Sequence, residues 1–391
     1  MAAIQQSVVK MTGLGKEGFH VSKARGFGGR YFFLAVLLIV FSLVLPAQGE
    51  GAVKYVVPEG SGDGSSWTKA MGEETFRTAI KSAAPGTEFW LAEGVYTPEA
   101  DESFEPAIGV SIYGGFKGDE SSPDERTPGA NATTLRGSGA SVLRFEYLPD
   151  GNAPNALDRI VVADNGEDYD FVLDSLTITL GKSKKGSYKE FGGGVSCRDN
   201  SKLLARDCIF IRNESIYGAA VCLYEKAMFV AERCVFQNNT AEDSGGAVFA
   251  QSDATFSAKD CTFKSNKANG VLGGGAVYLA PDTAFSAEGC TFAGNTAKLY
   301  GGAVLGLKHR PTTVVNCTFA GNSAGEGGAL FSIDDVRVMN CTFMDNSTVD
   351  GVGGESIKAS AGLTAVNSIF WGEAQGEQIA GHDPLDAPVV K

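Results

Sequence analysis

Histidine is nearly missing from this chain: His20, His309 and His382 are the only three in 391 residues. No Cys-x-x-Cys pair occurs, so a zinc site is disfavoured, and no metal or cofactor is expected. No cysteine precedes Cys197, which removes the lipid-attachment cysteine of a lipoprotein. Basic residues are in deficit, 33 Lys+Arg against 46 Asp+Glu, for a net charge of −13. That disfavours nucleic acid and bare anionic membrane as partners. Apolar residues make up 43%, enough for a sizeable core and too many for a disordered chain. Glycine is abundant, 51 residues, but without the collagen period.

Only one long apolar run is present, Tyr31 to Leu45. Lys23, Arg25 and Arg30 precede it, and Ala47 and Gly49 are the small residues of a cleavage site after Gly49. The pattern predicts a signal peptide over 1–49, with Met11 as an alternative start. The run is shorter than the ~20 residues of a membrane span, so an uncleaved anchor is the weaker alternative. No transmembrane span is expected after cleavage. Without the leader, 28 basic residues face 45 acidic ones, a net charge near −17.

The main signal is a repeat. Cys-x-Phe-x-x-Asn occurs as Cys208/Phe210/Asn213, Cys234/Phe236/Asn239, Cys261/Phe263/Asn266, Cys290/Phe292/Asn295, Cys317/Phe319/Asn322 and Cys341/Phe343/Asn346. Ser368-Ile369-Phe370 is a degenerate further copy. Successive cysteines are 26, 27, 29, 27 and 24 residues apart. Gly-Gly-Ala-Val, or a close variant, ends at Val195, Val221, Val248, Val277 and Val304, each 13 residues before the next cysteine. Its last copy ends at Leu330, 11 before.

Around each cysteine, apolar residues recur with period two, the mark of a half-buried strand. Phe256, Ala258, Cys261 and Phe263 illustrate the series. Glycine pairs and polar turns forbid a helix of this length. Two or three short strands per ~27-residue unit give a coil that stacks on the next, with a rise of about 4.8 Å. The fold class is therefore all-β, a parallel β-helix. Equivalent residues form ladders: Cys and Phe columns inward, Asn at a turn bonding its own and the next coil. Arg206, Glu232, Lys259 and Glu288 point outward with alternating sign, worth about 0–1 kcal/mol per exposed pair.

Eight cysteines in an exported chain suggest disulfides. Six of them occupy one inward column, however, and side chains parallel in a stack are poorly aimed for bridging. Buried free thiols are the preferred reading, with the disulfide state left open. Cys197 and Cys222 sit out of register with each other.

Before the repeats, Val53–Val57 and Phe89–Tyr96 read as strands. Thr75–Ala84, with Phe76, Ala79, Ile80 and Ala83 at helical spacing, reads as a short helix capping the open end of the stack. Val172–Leu180 is one more coil, with Leu176, Ile178 and Gly181 at the Cys, Phe and Asn positions. The expected organisation is one solenoid over 50–371, irregular over 50–190 and regular over 191–371, then a polar, aperiodic tail over 372–391.

The pairing of Gly-Gly-Ala-Val with Phe-x-x-Asn resembles the repeats of the chlamydial polymorphic outer membrane proteins. The stretch from Tyr55 through Ile112-Tyr113-Gly114-Gly115-Phe116 to Thr134-Leu135 is similar to the N-terminal part of right-handed β-helix proteins of the pectate-lyase-like superfamily. The resemblance implies a right-handed three-sheet helix, export, and adhesion at a cell surface or outer membrane. The polymorphic proteins carry a C-terminal membrane barrel; no stretch after Trp371 reads as one.

Catalytic residues are not legible. The densest acidic cluster, Asp164 to Asp170, reads as a solvated loop before a coil. A glycosidase needs two carboxylates about 5–9 Å apart. Asp334-Asp335 and Asp350 qualify by type but read as turn caps. Lys308-His309-Arg310 reads as an exposed loop, and Gly381-His382-Asp383 is a weak echo of the Gly-His-Gly of pectin-cleaving hydrolases. Thr262, Thr291, Thr318 and Thr342 make a flat outward column. The sequons at Asn213, Asn238, Asn316, Asn340 and Asn346 are by-products of the repeat. The expected function is non-enzymatic adhesion or envelope interaction, with glycans or proteins of another cell as partners. The alternatives are a polysaccharide lyase or glycoside hydrolase working in a groove of the helix, and a structural spacer.

Overall fold

The computed structural model describes residues 51–146, 162–164, 167–183, 191–307, 310–349, 354–372, 377–381 and 389–390. The expected signal peptide lies outside the described residues, as do Lys308, His309, Asp350, His382 and Asp383.

The described chain is a parallel β-helix. Three long sheets of twelve, ten and nine strands run along it, with a shorter sheet of six strands in the turn after the asparagines. Each coil visits them in the same order. One coil runs Thr255–Lys259 in the twelve-stranded sheet, Thr262–Lys264 in the ten-stranded sheet, Lys267–Ala268 in the short sheet and Val277–Leu279 in the nine-stranded sheet. The expected two or three strands per unit thus become four over most of the repeat. The fourth follows directly after each ladder asparagine, where Thr240 and Lys267 pair across coils.

The register is strict. Phe229, Phe256 and Phe285 align in the twelve-stranded sheet, and Phe210, Phe236, Phe263, Phe292, Phe319 and Phe343 in the ten-stranded one. The rings of this second column stack at 4.6–4.8 Å between centroids, within 4° of parallel. Parallel strands one coil apart impose that distance. Arg206, Glu232, Lys259 and Glu288 also align in register on the outer face.

The asparagines form a buried amide ladder. Asn239 Nδ2 donates to Asn266 Oδ1 at 2.9 Å and to the Phe210 carbonyl at 2.9 Å, while the Asn239 backbone N–H reaches the same Asn266 Oδ1 at 3.1 Å. The scheme repeats from Asn213 to Asn346, each at most 1% exposed. Burial without these bonds would be costly for an amide.

The cysteines are free and buried. From Cys234 to Cys341 the ladder sulfurs are bonded to backbone. The Cys261 thiol donates to the Ala231 carbonyl at 3.3 Å and accepts the Cys234 N–H at 3.4 Å. In the degenerate coil Ser368 Oγ takes over the sulfur's part, accepting the Cys341 N–H at 3.2 Å.

The glycine pairs divide two tasks. Gly245 has φ of 66°, a backbone that favours glycine. A Cβ on Gly246 would meet the Gly275 carbonyl oxygen at 2.1 Å, so the second glycine permits the close approach of coils. The tight turns before each cysteine also need positive φ, which explains Asp207, Asp260, Asn316 and Asn340 there.

Helix α1 (Glu73–Lys81) buries Phe76 and Ile80 completely at the N-terminal end of the core. It starts two residues before the predicted span, where Glu73 and Glu74 favour a first turn. The expected aperiodic tail is ordered into the solenoid where it is described. Ile379–Gly381 pairs with Ile357–Ala359, and Val389–Val390 with Thr364–Ala365. Two- and three-residue strands leave almost no period to read, but an open sheet edge recruits them.

Candidate binding face

The motif valines point inward, and Val221, Val248, Val277 and Val304 are fully buried. The residue after each valine must then face outward. Along the nine-stranded sheet these residues pair coil to coil as Arg144, Ser196, Cys222, Phe249, Tyr278, Leu305, Phe331 and Lys358. A strand with one wet face would carry polar groups here. Instead five consecutive coils carry apolar or aromatic residues. They pack as a second hydrophobic cluster, outside the helix core.

A further layer covers them. Tyr217 lies 4.9 Å from the Phe249 ring and edge-on to Phe191 at 4.9 Å. Tyr224 lies 5.9 Å from Phe249, and Tyr300 4.8 Å from Phe331. Phe249 and Tyr278 stack at 4.8 Å, 4° from parallel. Tyr217, Tyr224 and Tyr300 are partly exposed, so the ledge shows solvent an aromatic rim with hydroxyls.

Cations bracket the ledge. Arg198 sits over the Tyr224 ring at 5.1 Å, and its Nε reaches Ser196 Oγ at 3.4 Å. Arg198 is only 8% exposed, yet its Nη2 has no hydrogen-bond partner. At the other end Lys358 lies 6.0 Å from the Phe331 ring and pairs with Glu326. Burial, with Asp243 and Tyr217 adding, pushes the Tyr278 hydroxyl up to about 12. Burial also pushes the Cys222 thiol up to about 12 and raises Tyr224. These groups therefore stay protonated at neutral pH and can donate hydrogen bonds. The ledge can hold a flat ring by its C–H face and bond its polar edge.

A cleft of about 160 Å³ adjoins Arg144, lined also by Lys81, Glu105, Asp101 and Glu102. Glu105 bridges Lys81 at 3.1 Å and Arg144 at 3.3 Å, so its charges largely satisfy one another. Its volume is below that of ordinary ligand pockets.

The residues singled out from sequence do not come together. Asp334 and Asp335 lie at a turn, where Asp335 Oδ1 accepts the Gly362 N–H at 3.0 Å. Arg310 is exposed. The threonines align on the outer face of the ten-stranded sheet, half-buried. Asn213 and Asn346 belong to the buried ladder, whereas Asn238, Asn316 and Asn340 are exposed. The acidic cluster is not a solvated loop in its described part. Val162–Asp164 and Glu167–Tyr169 form an antiparallel hairpin, and Asp170 is fully buried with Oδ2 accepting the Lys202 N–H at 2.8 Å. That bond ties the hairpin's exit to the next coil. Among the described residues no three His, Cys, Asp or Glu side chains are grouped to hold a metal ion.

The ledge residues escaped the sequence reading. A signal was present: Val248-Phe249, Val277-Tyr278 and Val304-Leu305 place two apolar residues in succession. That breaks alternation and marks a strand apolar on both faces.

Among the described residues, no helix is long and apolar enough to cross a membrane. No curated protein matches the sequence. A solved structure with a similar course is the polygalacturonase from Erwinia carotovora ssp. carotovora, at 11% identity and a TM-score of 0.44, over 86% of this chain and 98% of that one. The family described as right handed beta helix region matches residues 157–284 and 243–386. The coils of this chain thus wind right-handed, and the chain belongs to the right-handed parallel β-helix family.

Proposed function

We propose that this chain is an exported, non-catalytic β-helix protein that binds surface glycans through the outer face of its nine-stranded sheet. One observation carries the reading. The outward column from Cys222 to Phe331 is apolar over five consecutive coils and rimmed by Tyr217, Tyr224 and Tyr300. The column itself is buried, and the three partly exposed tyrosines over it present an aromatic contact surface with polar edges. The apolar run at Tyr31–Leu45 supports export, and the resemblance to polymorphic outer membrane repeats supports adhesion. The test is affinity electrophoresis of the folded chain in gels carrying neutral or acidic polysaccharides. Retardation by at least one glycan, lost in Tyr217→Ala and Tyr300→Ala at unchanged melting temperature, is the expected result. Retardation that both variants retain places binding elsewhere.

A second reading is a polysaccharide lyase or hydrolase. It is favoured by Arg198, a buried guanidinium with a free Nη2 at one end of the ledge. A lyase must neutralise the carboxylate of an acidic sugar before the neighbouring proton is removed, and a buried guanidinium with a free N–H supplies that charge-assisted contact. Chain length of polyuronates and neutral glycans, followed with and without calcium, separates the two. Cleavage that disappears in Arg198→Ala establishes the enzyme and ends the non-catalytic reading.

A further inference from the structure

Arg198 closes the strand Val195–Arg198 at one end of the aromatic ledge. It is 8% exposed, its Nη2 has no hydrogen-bond partner, and among the described residues no carboxylate pairs with it. Lys358, the cation at the other end, differs, because Glu326 neutralises it. A buried cation without an anion is costly, so the site gains when an anion arrives. The guanidinium is held in place by Ser196 Oγ at 3.4 Å from Nε and by the Tyr224 ring at 5.1 Å. Nη2 is closed to solvent, and the partly exposed Tyr224 ring turns aside before an anion reaches it.

The middle of the ledge has the opposite sign. Burial first, and then the nearby Asp243 carboxylate, keeps the Tyr278 hydroxyl protonated. That carboxylate accepts the Ser244 hydroxyl at 2.8 Å and has no cation partner among the described residues. Val195 pairs with Val221 and Val221 with Val248, so Arg198 and Asp243 belong to strands two coils apart, about 10 Å along the axis. A glycan with a carboxylate on every ring, laid along the ledge from Arg198, would bring one of them against Asp243. The net charge of −13 also repels polyanions, so a preference for an anion has to come from a local cation.

We infer that the ledge selects a glycan with one isolated anionic sugar, its carboxylate or sulfate ester seated on Arg198 and its neutral sugars on the tyrosine rim. The inference rests on the glycan-binding reading and narrows it. Arg198 supplies a charge-assisted hydrogen bond, and Tyr224, once turned, packs against the acidic ring. A neutral glycan leaves Arg198 unpaired, and a uniformly charged one meets Asp243. Selection therefore combines an attraction at one end with a repulsion in the middle.

The probes are lactose, lactose with sialic acid on the galactose 3-oxygen, lactose 3′-sulfate and trigalacturonate, each titrated calorimetrically into the full chain. At least one of the two anionic lactose derivatives should bind about tenfold more tightly than lactose, and trigalacturonate more weakly than that derivative. The sialyl and sulfate arms tell a carboxylate from a sulfate ester. Arg198→Met should erase the preference over lactose. It removes an unpaired buried charge and keeps the chain length, so its melting temperature should not fall below the parent's. Asp243→Asn should strengthen trigalacturonate binding. Lactose bound as tightly as both derivatives overturns the inference, as does a preference that survives Arg198→Met or trigalacturonate binding tightest in the parent. The ranking of probes on the parent decides the matter even where Arg198→Met does not fold. Failure of both anionic derivatives to bind, with polysaccharide retardation intact, overturns this inference alone. Loss of retardation as well overturns the glycan-binding reading beneath it.

Discussion

Asn266 Nδ2 donates to Asn295 Oδ1 at 3.0 Å across one coil of the helix, and the Asn266 backbone N–H reaches the same oxygen at 3.0 Å. Asn266 Oδ1 in turn accepts both donors of Asn239. Each interior rung therefore satisfies groups on two neighbouring coils.

Asn266→Ala should be far more damaging than one lost hydrogen bond suggests. It leaves the Asn239 donors and the Phe236 carbonyl without their buried partner. At about 1–3 kcal/mol per orphaned group, a loss of more than ~3 kcal/mol is expected. Among the described residues Asn346 is the last rung, serving Asn322 and the Phe319 carbonyl, so Asn346→Ala should cost less. Urea unfolding midpoints at constant slope check the order.

The phenylalanine column makes a similar positional prediction. Phe263 is fully buried between Phe236 and Phe292, at 4.6 and 4.7 Å. Phe263→Ala should cost about 3–5 kcal/mol, as truncation of a packed ring does. Phe370, half-buried and, among the described residues, stacked on one side, should cost clearly less on the same substitution. Equal thermal shifts for the two variants would contradict the end-of-stack geometry.

The thiol column predicts a loss of stability in alkali. A side-chain hydrogen bond to the Cys234 thiol, and then burial, pushes the Cys261 thiol up to about 12 from its ordinary 9.0, against the lowering effect of the Cys234 backbone N–H. Cys290 and Cys317 are pushed up to about 12 in the same way. The folded state holds these protons after the unfolded chain has released them, so the contribution is full below pH 9 and is lost as pH rises toward 12. Unfolding midpoints should fall across that window. Cys261→Ser should flatten the fall, since serine does not ionise there and Ser368 already fills the role in one coil. In the native state at pH 8 a thiol reagent should label none of the eight cysteines, and in denaturant all of them.

Much of the architecture was legible because stacking coils repeat their chemistry. Cys261, Phe263 and Asn266 recur at one spacing, and a parallel helix turns equal spacing into columns. Where strands shrink to two residues, as at Lys267–Ala268 and Val389–Val390, no period is left to read. The ledge was hidden for a different reason. Phe249, Tyr278 and Phe331 look like core residues in sequence. Only the pairing of Val248 with Val277 shows which neighbour faces in and which faces out.

The amino-acid sequence by itself determined the repeat, the inward columns, the turn residues and the presence of a capping helix. Each follows from periodicity and from local backbone preference. The tertiary structure alone decided the rest. It closed Tyr217, Tyr224 and Tyr300 over one sheet face and buried Arg198 beside Tyr224. These features join residues from different coils and turns whose separation along the chain varies, so no local pattern encodes them.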